Sequence, residues 1–124
     1  MPSFGTLKAD TLTHSTAGSV DTNYVVEGTA KSWINLNGSS FGTRDSFNVS
    51  SATDTSTGQY KINYTNSMNN ANYSCVIGDE LNGGRCFPRT TDYNTSYHDH
   101  EVFGQSSGYV DNTIVTDATF GDLA

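Results

Sequence analysis

His98, Asp99, His100 and Glu101 form the densest run of proton-exchanging and metal-ligating side chains in the sequence. Two histidines at i and i+2 of an extended strand point to the same face, so both imidazoles could approach one transition metal. A close pair without further ligands is a weak metal signal, and a solvated polar loop is the ordinary alternative. Aromatic residues crowd the same stretch: Phe87, Tyr93, Tyr97, Phe103 and Tyr109. Flat rings among polar neighbours match a pyranose face, which makes them candidate ligand-binding residues; covering a core or a subunit interface is the competing use.

Catalytic motifs are absent from the sequence. There is no G-x-S-x-G elbow, no H-E-x-x-H and no Gly-rich phosphate loop leading into a helix. His14 can be combined on paper with Ser50 or Ser51, as any chain this rich in serine would allow. The chain is therefore read as non-enzymatic, with no catalytic residue and no required cofactor. Cys75 and Cys86 are too few for a disulfide framework and complete no zinc pattern. Reduced thiols are the default, and a bridge between them is the alternative in an oxidising setting.

The elements that must position these residues read as strands. Ser 15, Thr 17, Asn 12 and Gly 12 dominate a chain of 124 residues, and these types suit strands and turns better than helix interiors. In the run from Lys31 to Gly38, Ser32, Ile34 and Leu36 share one face and Trp33 lies on the other, before an Asn37-Gly38 turn. The run from Arg44 to Asp54 alternates Phe47, Val49 and Ser51 against Asn48 and Ser50. It pairs as a hairpin with the strand bearing Tyr60, Ile62 and Tyr64, closed between about Asp54 and Gly58. Asn72 to Asp79 reads as a central strand, and the Gly108 and Thr113 regions carry two more. Glu80 to His100, with Gly83, Gly84 and Pro88, is expected to be the longest irregular stretch. Residues 1–28, in which Leu7 opens a short alternation, form an extended N-terminal docking arm, and residues 29–124 a small antiparallel β-sandwich or partly open barrel.

Only 34% of residues are hydrophobic, so this core is thin and oligomerisation is the expected supplement. Trp33, Phe47, Tyr60 and Tyr64 are the candidate interface residues. A net charge of -7 disfavours nucleic acid and anionic membranes as partners, and no stretch is long and apolar enough to insert in a bilayer.

The run from Lys31 to Ser74, KSWINLNGSSFGTRDSFNVSSATDTSTGQYKINYTNSMNNANYS, resembles a module that recurs in tail-fibre-like virion proteins of tailed bacteriophages, marine phages among them. The terminal ATFGD from Ala118 is similar to that module's closing strand, and LKADTLTH from Leu7 to the stretch that precedes it in longer fibres. The resemblance implies a homotrimer that assembles in the host cytoplasm and resides in the virion. It implies a short tail fibre or fibre tip that attaches to a host-surface glycan, or a capsid decoration (cement) protein on the phage head. The partners it implies are further virion proteins, of the tail or the major capsid. By likeness to H-x-H pairs in trimeric phage needles, it also implies that His98 and His100 could surround a metal on a three-fold axis.

Overall fold

The structure, a computed structural model, describes Gly5 and residues 8–80, 86–105 and 108–124, with the backbone alone at 86–88. The expected positions Leu7, Gly83 and Gly84 lie outside the described residues. The N-terminal segment is folded rather than extended. Strands β1 (Thr11–His14) and β2 (Gly18–Asp21) form a hairpin, and α1 (Thr22–Gly28) follows. His14 Nδ1 closes the turn by accepting the backbone N–H groups of Thr16 and Ala17 at 3.3 and 3.1 Å. The start of α1 is tied back to the hairpin, where the Thr22 hydroxyl donates to the Ala9 carbonyl at 2.7 Å. Neither β-strand of the hairpin nor α1 buries a residue.

The rest of the chain is antiparallel sheet: β3 (Ser32–Asn37), β4 (Gly42–Phe47), β5 (Val49–Ser56), β6 (Gln59–Tyr64), β7 (Ser74–Asp79), β8 (Cys86–Tyr93), β9 (Tyr97–Gly104), β10 (Gly108–Tyr109) and β11 (Val115–Phe120). One sheet has the order β4-β3-β11-β7. In the other, β9 has β8 along one edge and β6 then β10 along the opposite edge, with β5 outside β6. The period-2 pattern decides which residues go inside. Ile34 and Leu36 of β3 and Val115 of β11 meet Tyr60 and Ile62 of β6 and Val102 of β9 in the main core. A second cluster, Tyr64, Met68 and Tyr73, fills one end of the sandwich. This is the expected all-β sandwich with antiparallel sheets.

Several expectations are corrected. The run from Arg44 to Asp54 is not one strand: Asn48, at φ 56, breaks it, and β4 and β5 enter different sheets. Asn tolerates the left-handed region because its short polar side chain bonds locally, and here Asn48 Oδ1 accepts the Asn66 N–H at 2.8 Å across the corner. The expected β5–β6 hairpin does form. β7 is an edge strand, not a central one. The stretch expected to be irregular holds β8 and the central strand β9; alternation with Asp99 and Glu101 and histidines in place of aliphatics hid the strand period. Tyr60 and Tyr64, expected at a subunit interface, are buried in the chain's own core.

The β5–β6 turn depends on Gly58. It sits at φ 63, and an added Cβ would lie 2.6 Å from the Val102 carbonyl oxygen and 2.7 Å from the Val110 nitrogen. Both neighbours are backbone and cannot rotate away. Gly58→Ala is therefore expected to lower stability by about 2 kcal/mol or more. Gly42→Ala, where a Cβ meets nothing within 4 Å, should change it by no more than ~0.5 kcal/mol. Urea unfolding of both variants checks this, and equal effects would contradict the strained turn.

Candidate functional site

Strand β9 sends its two sets of side chains to opposite sides of the sheet. His98, His100 and Val102 point inward, and Tyr97, Asp99, Glu101 and Phe103 point outward. The two histidines do share a face, as their spacing requires, but it is the interior one, and both are 0% exposed. Between them, from the facing sheet, comes Asp117 of β11. His98 Nε2 lies 3.0 Å and His100 Nδ1 3.5 Å from the same oxygen, Asp117 Oδ2. The Tyr64 hydroxyl lies 2.8 Å from His98 Nδ1, and His100 meets the Tyr60 ring edge-on at 6.2 Å.

Burial pushes the Asp117 carboxyl up, but hydrogen bonding and charge from His100 and His98 outweigh it and hold the group below the usual carboxylate range. Asp117 is thus an ionised acceptor, and His98 Nε2–H donates to it. Burial pushes the Tyr64 phenol far up, so it keeps its proton beside His98 Nδ1. The His98–Asp117 hydrogen bond and the His100–Asp117 contact at ion-pair distance join the two sheets, with both ring nitrogens of His100 and Asp117 Oδ1 buried without a hydrogen bond. The arrangement does not fit the expectation of a shared ion on a three-fold axis, because both rings are buried in the chain's own interior. Among the described residues no group of three or more His, Cys, Asp or Glu is arranged to hold a metal ion, the His98–Asp117–His100 group included. Cys75 is a free thiol whose pKa burial pushes up, and the side chain of Cys86 lies outside the described residues.

The outward set builds the better candidate site. Phe103 pairs in register with Phe87 on one side and Tyr109 on the other, and the Phe103 and Tyr109 rings meet edge-to-face at 5.4 Å. One residue pair along, Arg89 Nη2 forms an ion pair with Glu101 Oε2 at 2.7 Å and donates to the Tyr109 hydroxyl at 3.3 Å. Gln59 donates to the other oxygen of Glu101 at 3.1 Å. Farther along, Lys61 stands 3.8 Å over the Tyr97 ring and 3.6 Å from Asp99, while the Tyr97 hydroxyl donates to Asp92 at 3.1 Å. Open rings and fixed planar donors and acceptors therefore share one rigid sheet face.

Of the aromatic candidates, Tyr97, Phe103 and Tyr109 are brought together on this face. Tyr93 instead packs on Tyr73 with centroids 5.2 Å apart, and the side chain of Phe87 lies outside the described residues. Sequence reasoning missed Arg89, Gln59 and Lys61. The last two were legible, since they alternate with the inward Tyr60 and Ile62. Arg89 was hidden in the stretch taken as irregular.

The opposite outer face, on the four-stranded sheet, carries Trp33 and Phe47 as a directly paired couple. The row continues through Ala118 to Val76, so an apolar ridge crosses all the strands of that sheet. Trp33 is 37%, Phe47 55% and Val76 62% exposed. Comparison with known protein families, curated proteins and solved structures finds no match to this chain.

The buried network gives a direct expectation. A carboxylate held below its ordinary value stabilises the fold at pH above the unfolded value of about 3.9, and that stability is lost as pH falls through the lower native value. Asp117→Asn should cost about 3 kcal/mol or more at pH 7, because it removes one partner of a buried charged network. The gap from the parent chain should narrow as pH falls below about 4. Urea titrations across pH measure both, and a variant as stable as the parent at pH 7 would refute the network's role.

Proposed function

We propose that this chain is a non-enzymatic structural protein of a tailed-phage virion, a homotrimeric short tail-fibre or fibre-tip module that attaches to a host-surface glycan. The observation that carries the glycan reading is the outer face of β9 with its neighbours. Phe103 and Tyr109 offer stacking surface, and Arg89, Glu101 and Gln59 are locked to one another beside them, ready to bond sugar hydroxyls without further ordering. A rigid sheet that positions exposed aromatics suits repeated, reversible attachment better than turnover. The virion setting rests on the resemblance of the Lys31–Ser74 run to phage fibre modules. The ridge at Trp33 and Phe47 supports assembly with other chains, which a decoration protein on the capsid would need equally. Particle copy number separates the two placements: tail stoichiometry fits the fibre, and stoichiometry matching the capsid lattice fits the decoration protein.

Tyr109→Ala should weaken binding to arrayed bacterial surface polysaccharides at least ~10-fold, the loss of about 1.4 kcal/mol, while leaving the thermal midpoint within a few degrees. Binding unchanged in the variant, or absent from the parent chain across the array, would overturn the glycan reading.

A further inference from the structure

Two apolar surfaces of this chain lie open and do not cover each other. The first is the ridge of Phe47, Trp33, Ala118 and Val76. The second belongs to the arm, where Leu12, Val20, Tyr24 and Val26 are exposed. Hairpin and helix leave between them an open groove of about 390 Å³, lined by Leu12, Val25 and Val26 with Ala9, Asp10 and Thr22. A lone two-stranded hairpin is marginal in water, and a helix of 7 residues is shorter than isolated helices that persist. The arm therefore needs a surface against which to bury these side chains.

The two surfaces point to a second copy, because every copy of the chain carries both an open apolar ridge and an arm with an open apolar groove, each supplying what the other lacks. The link between arm and sandwich is short, and Lys31 Nζ pins it by donating to the carbonyls of Val26 and Thr29. Held this way, the arm leaves its own ridge uncovered.

We propose that the arm of one copy docks on the ridge of the next, with Trp33 and Phe47 entering the groove between hairpin and helix. Donor and acceptor surfaces differ, so the contact is heterologous, and repeated addition closes into a ring where the rotation allows. This rests on the homo-oligomer in the function proposed above and adds which surfaces meet.

The test uses the full chain and two variants of exposed residues, Leu12→Asp with Val20→Asp in the arm and Phe47→Asp with Val76→Asp on the ridge. Native mass spectrometry should show each variant alone as a monomer. An equimolar mixture, with one variant isotope-labelled, should show a heterodimer near twice 13.3 kDa, because one partner keeps its ridge and the other its arm. An arm variant that stays oligomeric, or a mixture that gives no heterodimer, overturns the contact. The parent chain supplies a reading that needs no variant. Trp33 is its single tryptophan, so its emission should shift to the red on dilution as the ridge is uncovered. Emission independent of concentration means an arm folded on its own ridge or a ridge left bare, and either overturns the proposal. An oligomer that survives the arm substitutions removes this contact and leaves the trimer and the glycan face standing.

Discussion

One carboxylate oxygen, Asp117 Oδ2, lies between two imidazoles in the interior, and the relation of the two sheets depends on it. Removing three ionisable side chains from water is costly unless they satisfy one another. Here β9 contributes both rings and β11 the counter-charge. A slip of β9 by a single residue would turn His98 and His100 outward and bring Asp99 and Glu101 into the core. The network therefore fixes the register of the strand that also carries the outer aromatic face. Tyr64 adds a further tie from β6 by occupying the second nitrogen of His98.

With the interior fixed in this way, the two outer faces are free to differ. The face of β9, β8 and β10 is aromatic and ionic, with every charge described there partnered at short range. The face of the four-stranded sheet is an apolar ridge of Phe47, Trp33, Ala118 and Val76. The arm is separate from both faces, held by the Lys31 pins and the turn at His14 rather than by buried side chains. Under the proposed function, one face would serve attachment and the other assembly.

Much of the fold was legible where apolar residues alternate cleanly. Ile34 and Leu36 against Trp33, and Tyr60 and Ile62 against Lys61, gave β3, β6 and the direction each face points. The break at Asn48 was not legible, because a change of sheet preserves alternation on both sides of the corner. β9 was missed because its inward positions are histidines, whose polarity resembles a solvated loop until the matching Asp117 is placed opposite. Nothing in the local sequence announces a counter-charge 19 residues away in another sheet. The candidate site was half legible: the aromatic residues were named, but sorting Tyr97, Phe103 and Tyr109 from Tyr93 required the strand register. Tyr60 and Tyr64 were misplaced because pattern alone distinguishes one face from the other, not core from interface.

The most direct measurement of the central claim is nitrogen-detected NMR of the histidine side chains at neutral pH, with and without added zinc. If the core is held by the His98–Asp117–His100 network, the His98 Nε2 proton is observed and exchanges slowly with solvent. The ring nitrogens of both residues also stay unshifted by zinc, while those of the exposed His14 respond. Fast-exchanging His98 and His100 rings whose signals move with zinc would contradict the account, because they would put the pair in contact with solvent and make it a metal site.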